Sequence, residues 1–446
     1  MKLRNIILFI LIAVALTSCD DFLDITPTGK VIAKTGEEYR ALLTYEYKYF
    51  SKDRYMTTLR TDELLMDKKK SSSTDLDAYL DLWRWKDENP SPTTSYFSWR
   101  GYYHTIYIAN YVMEHRDEIT NATRDEVNQL VGESYMLRAY CHFLLVNLYA
   151  EPYTHCQPST TRGVPMQLVA DVNAIPGSSS VEAIYQQVLT DITEAEKYLN
   201  VETWEEGTNY RFNKISAQAL RARTYLYMGE WQKALTAAKA VIEAHGELED
   251  MNSSKTLPNS YKSVESIVAL EKFSSNLFTA IDMPDPDFIN LYRTGDQRRT
   301  KFYKRATSSS YNLQKGGDDE FSCSFRSAEA YLTAAECAAR LNNTADAIDF
   351  LKPLLQKRLN STALQEELDL IAPMTADQLT QEILDERARE LAFEGHRWYD
   401  LRRTSQPTLT RTYDDETFTL TPEKYTLRFP TEAVEANPEI ERWEKK

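Results

Sequence analysis

The stretch ELAFEGHRWYDLRR, Glu390 to Arg403, sets carboxylates, arginines, a histidine and a glycine within one apolar frame, and Glu386 and Arg387 extend it upstream. Glu386, Glu390 and Glu394 recur at i, i+4 and i+8, a spacing that aligns side chains along one helix face. A row of carboxylates could serve general acid–base chemistry or hold a metal. Both readings meet obstacles. Arg387 and Arg397 are interleaved with the acids, and a neighbouring guanidinium keeps a carboxylate ionised and unfit as a general acid. No Glu-x-x-His or His-Glu-x-x-His is present to bind metal. The 6 histidines are scattered, and no nucleophile elbow, phosphate loop or dinucleotide fingerprint occurs. The better reading is structural: buried Arg–Glu pairs that specify how helices dock. Its residues are Glu386, Arg387, Glu390, Glu394, Gly395, Arg397 and Asp400. No catalytic residue, metal ligand or cofactor is implied.

Positioning these groups requires a helix. Read as one helix from Gln381 to Thr404, at about 100° per residue, the segment turns Ile383, Leu384, Ala388, Leu391, Trp398 and Leu401 to the core. Arg387 and Glu394 fall on that face, and Gly395 points inward. Glycine inside a helix costs about 1 kcal/mol against alanine, and is useful where a second backbone must come close.

The wider chain predicts a mainly α fold. Two long amphipathic helices cover YFSWRGYYHTIYIANYVMEH and RDEVNQLVGESYMLRAYCHFLLVNLYA, and another covers SVEAIYQQVLTDITEAEKYL. ISAQALRARTYLYMGEWQKALTAAKAVIE reads as helix, turn at Gly229-Glu230, helix. Its Ala222, Tyr225 and Ala234 fill the small, aromatic and small places of a tetratricopeptide repeat. SAEAYLTAAECAARLNNTADAIDFLKPLLQKR is a weaker copy, with Ala335, Ala347 and a turn at Asn342-Asn343. The helices before Glu151 are a third candidate pair. The copies are not spaced by a multiple of the ~34-residue repeat, so long insertions separate them, and insertions in solenoids emerge as loops on one face. The expected architecture is a tetratricopeptide-like helix-pair scaffold, about 36–50, 97–245 and 326–446, with a loop-rich, partly irregular ligand-binding insertion region at about 51–96 and 246–325.

The chain has 446 residues, 42% apolar and 27% charged, enough for a sizeable core. A formal net charge of −15 argues against a nucleic-acid binder, which needs a cationic face. Lys2 and Arg4 precede an apolar run from Ile6 to Leu16, the layout of a secretory signal and too short for the ~20 residues of a membrane span. Leu16-Thr17-Ser18-Cys19 resembles a bacterial lipobox, which divides the chain into a signal peptide (1–18), a lipidated tether (19–35) and one domain (36–446). Acyl chains on Cys19 anchor strongly, at ~0.8 kcal/mol per buried CH2. The alternative is an ordinary signal peptide with a chance cysteine. Cys141, Cys156, Cys323 and Cys337 have no metal-ligand spacing. Cys141 and Cys337 lie among apolar residues as buried free thiols, with a Cys141–Cys156 bridge as the other reading.

ILDERARELAFEGHRWYDLRR closely resembles the C-terminal motif of SusD/RagB-type outer-membrane nutrient-binding lipoproteins, through Ile383, Glu386, Arg387, Glu390, Leu391, Glu394, Gly395, Arg397, Asp400, Leu401 and Arg403. Trp99, Tyr103, Ile106 and Asn110, the LRAY of the next helix, RGVPM, Asp296 with Arg298, FRSAEAYLTAAE and the closing FPTEAVEANPEIE are similar to further family motifs, in order. Glu432 departs by having an alanine before Val434, and the loops around 250–320 look trimmed. The resemblance implies a lipid-anchored, non-enzymatic protein facing the cell exterior. It implies that the chain binds glycans, or peptides, and delivers them to a SusC-like TonB-dependent transporter.

Ligand residues are harder to assign. With 28 tyrosines and 7 tryptophans the chain is rich in rings on which a sugar's C–H face can stack. Trp83 and Trp85, in LDLWRWKDENP, would point to the same side if extended, though both could equally cap the core. Phe273, Phe278 and Tyr311 are further candidates. A surface glycoside hydrolase, with two carboxylates flanking a cleft, and a pure assembly scaffold remain the alternatives. Cys19→Ala is expected to move the protein out of the membrane fraction. Unchanged fractionation would show that Cys19 carries no anchor.

Overall fold

The computed structural model describes residues 33–51, 53–66, 72–88, 90–272, 282–308, 310–316, 321–322, 324–437 and 439–440. Its main helices are α1 (Gly36–Tyr49), α2 (Ser73–Trp83), α3 (Trp99–Glu114), α4 (Arg124–Tyr149), α5 (Val181–Tyr198), α6 (Lys214–Met228), α7 (Trp231–His245), α8 (Ser327–Arg340), α9 (Thr344–Arg358), α10 (Ser361–Ile371), α11 (Ala376–Glu390) and α12 (Arg397–Arg403). From α3 to α9 each helix packs on the next in chain order, and α11 closes on α8.

Local chemistry sets the helix ends. Thr35 with Glu38 and Thr123 with Glu126 form capping boxes that open α1 and α4, satisfying amide donors that a helix start leaves unpaired. Gly229 ends α6 at φ +77°, and Asn342 takes the same left-handed place after α8 at φ 61°. Asparagine adopts that conformation more readily than other side chains, so the second copy turns without glycine. Small residues set the helix spacing. Ala222, Ala237, Ala238 and Ala334 form one cluster between α6, α7 and α8, and Ala335, Ala338, Ala339 and Ala347 join the next. The main core runs along α4, where Leu137, Tyr140, Cys141, Leu144 and Leu145 are all buried. Cys141, Cys156 and Cys337 are free thiols; Cys323 lies outside the described residues.

The connecting regions are more structured than their polar sequence predicts. Residues 51–96, expected as loop, contain a 3-10 turn at Arg54–Arg60, a strand at Leu64–Met66 and α2. In α2, Leu76, Tyr79, Leu80 and Trp83 recur at helical spacing within a serine- and aspartate-rich background, which hides the period. Every ladder among the described residues is a two-stranded antiparallel pair. One pairs Leu64–Met66 with Asp282–Pro284 and so fastens the two insertion regions to each other.

The expected single helix from Gln381 to Thr404 is two helices. The chain leaves α11 at Glu390, turns through Phe393 (φ 61°) and Gly395 (φ 71°), and re-enters as α12. The break frees carbonyls that a continuous helix would use, and buried cations take them. Lys315 donates to the Glu390 and Ala392 carbonyls, both at 2.8 Å, and Arg326 donates to Glu390 O at 2.9 Å. The Phe393 amide donates to the Glu63 carboxylate at 2.6 Å. A close backbone neighbour at Gly395 is present, since a Cβ there would lie 2.8 Å from the Arg54 carbonyl oxygen. Left-handed backbone costs a non-glycine residue about 1–3 kcal/mol before any clash. Gly395→Ala is therefore expected to lower stability by about 2 kcal/mol or more in denaturant melts. A variant as stable as the parent would mean the turn relaxes freely.

Candidate functional site

The acidic row of α11 meets cations brought from far along the chain. Glu390 accepts from Arg358 at 2.8 Å, Arg326 at 2.7 Å and Arg298 at 3.0 Å. Glu386 accepts from Arg298 at 2.5 Å and Arg389 at 2.8 Å. Glu394 pairs with Lys315 at 2.6 Å and Arg326 at 2.9 Å, and Glu265 bridges Arg326 and Arg358 at 2.8 and 2.5 Å. Arg387 pairs with Asp400 at 3.1 Å, Arg403 joins Asp400 to Glu336, and Arg397 reaches Asp62 at 2.7 Å. Burial alone would raise the three carboxyls. The charges and hydrogen bonds of Arg298 and Arg389 together outweigh it for Glu386, those of Arg358, Arg326 and Arg298 for Glu390, and those of Arg326 and Lys315 for Glu394, and each ends below its usual value. Burial pulls the Lys315 ammonium down to about 8. These are ionised acceptors saturated by donors, a docking network without a proton to give. Among the described residues no cluster suits a metal ion.

The tryptophans expected to stack on ligand do not present their faces. Trp83 and Trp85 are each 1% exposed. Trp83 ends α2 and Trp85 follows at φ 57°, so the extended geometry on which the pair was chosen is absent. Their rings flank the Arg411 guanidinium, at 4.7 and 4.4 Å from the ring centroids, and Trp85 Nε1 donates to Arg60 O at 3.0 Å. Indole faces beside a buried cation in a low-dielectric site are well occupied. Tyr311 is half-buried in a hairpin, paired with Arg305. Phe273, Phe278 and Cys19 lie outside the described residues.

An aromatic groove lies elsewhere, where α1 ends against the loops at 207–210, 261 and 269–270. It encloses about 680 Å³ and is lined by Thr44, Tyr47, Lys48, Tyr49, Gly207, Asn209, Tyr210, Tyr261, Ala269 and Leu270. Tyr45 and Tyr49, one helical turn apart, are 55% and 60% exposed, and their ring centroids are 4.3 Å apart. Tyr47, on the opposite face of α1, is buried and meets Tyr210 edge-on at 5.4 Å. The loops are pinned: the Asn209 side chain donates to Tyr261 O at 2.7 Å, and the Ala269 amide donates to Asn209 O at 2.9 Å. The groove therefore combines exposed ring faces with hydroxyl, amide and ammonium groups on a fixed wall. The sequence predicts only helical scaffold for about 36–50, which includes TYEYKYF. The signal was there, because Tyr45 and Tyr49 at i, i+4 occupy the face away from Leu43 and Tyr47. A larger cleft of about 720 Å³ holds one indole, Trp231, but the Arg340 guanidinium sits 4.6 Å from its centroid, and Asp400 and Arg403 along its wall are already paired.

Helix pairs stacked in chain order thus carry an aromatic groove where α1 meets the loops. A family pattern described as "Starch-binding associating with outer membrane" matches residues 21–226, and one described as "SusD family" matches residues 269–437. The chain belongs to the SusD family. A SusD-like protein of Formosa agariphila is 24% identical, covering 91% of this chain and 92% of its own. A SusD superfamily protein of Bacteroides thetaiotaomicron superposes with a TM-score of 0.77 at 21% identity, over 92% of this chain and 99% of its own. A "Laminarin binding SusD-like protein" superposes with a TM-score of 0.67 at 18% identity, over 92% of this chain and 99% of its own.

Removing one partner of a buried ion network strands the others, at about 3–5 kcal/mol. Arg326→Ala, which leaves Glu265, Glu390 and Glu394 each short of a donor, is expected to lose stability on that scale at pH 7. Because the carboxyls of Glu386, Glu390 and Glu394 are depressed in the folded chain, their contribution is present at neutral pH. It is lost as pH falls below the usual carboxyl value of about 4.5 and through the folded values. Acid titration of thermal stability should be shallower in Arg326→Ala. Equal slopes would place the network's contribution elsewhere.

Proposed function

We propose that the chain captures oligosaccharide in the tyrosine groove and passes it to a SusC-like TonB-dependent transporter, held at the outer membrane by lipid on Cys19. The observation that carries the reading is the exposed Tyr45–Tyr49 pair beside a fixed groove of about 680 Å³. A sugar ring has a C–H face that packs on an aromatic ring and a hydroxyl periphery that pairs with amide and hydroxyl groups, and this groove offers both. Sequence similarity to a SusD-like chain along most of its length, and a fold shared with a protein named for laminarin binding, support the same class of ligand. No helix among the described residues is long and apolar enough to cross a membrane, which accords with attachment through the N-terminal cysteine.

The test is Tyr49→Ala, measured by calorimetry against a panel of oligosaccharides and by thermal melting. Loss of one stacking face, about 1–2 kcal/mol, should weaken binding of the best ligand roughly tenfold. Stability should change by less than about 0.5 kcal/mol, since the ring is mostly exposed. Unchanged affinity across the panel would move the binding site away from this groove. Co-purification of a transporter with the lipidated chain tests the delivery step separately.

A further inference from the structure

Resting on the reading of Cys19 as a lipid anchor, we propose that the loop at 167–176 is a second membrane contact. It lays Leu168, Val169, Val172 and Ile175 among the lipid headgroups and so sets how the domain faces the bilayer. These four are 39%, 49%, 77% and 54% exposed, and they are four of the ten large apolar side chains exposed among the described residues. A lone exposed aliphatic residue needs no explanation, whereas four in one loop form a patch that a partner or a lipid surface would cover. The loop is held in one arrangement by its polar groups. The Asn110 side chain donates to Gln167 O at 3.3 Å, and the Gln167 side chain donates to Val169 O at 2.7 Å. The Ala170 amide donates to the Glu114 carboxylate at 2.9 Å, and at the far end the Asn437 side chain donates to Pro176 O at 2.9 Å.

The place where the chain arrives from Cys19 points to lipid as the occupant. Asn110 and Glu114, which carry the loop, stand at the end of α3. Tyr111, between them, stacks on Tyr39 of α1 at 6.1 Å with the rings 16° from parallel. Just beyond α3, the Thr120 amide donates to Lys34 O and the Gly36 amide to Thr120 O, both at 2.9 Å. The apolar loop and the entry of the chain into α1 therefore flank the same helix end. From Cys19 to Ala33 the chain reaches roughly 50 Å at most, so acyl chains alone hold the domain near the bilayer without choosing its orientation. A patch beside the entry point, lying in the interface, chooses one. Tyr49, the last residue of α1, is about 20 Å along the helix from Gly36, so the tyrosine groove stays open to sugar while the loop is covered. Asp171 lies within the patch, and its carboxylate accepts the Asn173 amide at 2.8 Å. A carboxylate is too costly to bury in hydrocarbon, which keeps the contact shallow, at headgroup depth.

The experiment uses the lipidated full chain in vesicles of phosphatidylethanolamine and phosphatidylglycerol in equal parts, with and without bromine on the upper acyl carbons. Val172→Trp is compared with Leu370→Trp, a 46% exposed position on α10, each read as emission added over the parent. Brominated lipid is expected to quench Val172→Trp roughly threefold more than Leu370→Trp, because an interfacial side chain lies within about 10 Å of those carbons. Hydrogen exchange of the loop amides should also be severalfold slower in vesicles than in the Cys19→Ala chain in solution. That slowing should vanish when Leu168, Val169, Val172 and Ile175 are all replaced by serine, a variant that should melt like the parent because none of the four is buried. Equal quenching at the two tryptophan positions, in a chain shown by mass spectrometry to be lipidated, would overturn the loop contact and leave the anchor standing. A chain with no acyl group on Cys19 would remove both. Loop amides that slow only when a transporter co-purifies, or a dimer that the serine variant dissolves, would give the patch to a protein partner and overturn the inference.

Discussion

Glu390 is fully buried and receives hydrogen bonds from three guanidinium groups, those of Arg298, Arg326 and Arg358. Each arginine comes from a different part of the chain: a short helical turn in the second insertion region, the strand before α8, and the end of α9. The carboxylate itself ends α11. Four segments therefore meet at one charge, and none can shift without leaving an ion unpaired in a low-dielectric interior. Burying so many ions gains little net stability over an apolar core. What it supplies is geometric demand, because each bidentate pair fixes distance and angle. The broken helix after Glu390 belongs to the same constraint. Its freed carbonyls are acceptors for Lys315 and Arg326, so the turn and the cations require one another.

That rigidity bears on the tyrosine groove. The tyrosine site draws on the end of α1 and on loops from residues 207 to 270, and those loops are held by one another and by the scaffold. Asn209 ties the 207–210 loop to Tyr261 and to Ala269. The strand Ser266–Val268 pairs with Phe325–Arg326, whose arginine is part of the Glu390 network. A chain of ordinary contacts thus runs from the buried charges to the wall of the groove. A preformed wall lowers the ordering cost of binding, which matters for a ligand that offers mostly shallow stacking.

The two tryptophans of LDLWRWKDENP show where composition misleads. An aromatic pair among arginine, lysine and asparagine has the chemistry of a sugar platform. The same residues also make a packed corner in which Arg411, more than three hundred positions later in sequence, slides in beside both indoles. Ring type sets what a side chain can do, while exposure is settled by whatever covers it. Tyr45 and Tyr49 make the converse case. They look like an ordinary helix repeat, and they are exposed because, among the described residues, nothing covers that face of α1.

Local sequence was enough for the helix pairs, since periodicity, capping residues and small residues act over a few positions and need no distant partner. It was enough also for the nature of the charge cluster, because interleaved arginines and carboxylates on an apolar frame leave few other stable arrangements. It named Glu386, Arg387, Glu390, Glu394, Arg397 and Asp400 as ion-paired, and all six are. Only the tertiary structure decided the partners, the break at Gly395 and the identity of the exposed rings. Glu390 finds Arg298, Arg326 and Arg358 rather than its neighbours Arg387 and Arg397, because a helix points adjacent residues to different sides and long-range packing chooses which cation faces each side. A buried ion pair and an open aromatic surface are both properties of two or more segments at once, and sequence order carries no distance between segments.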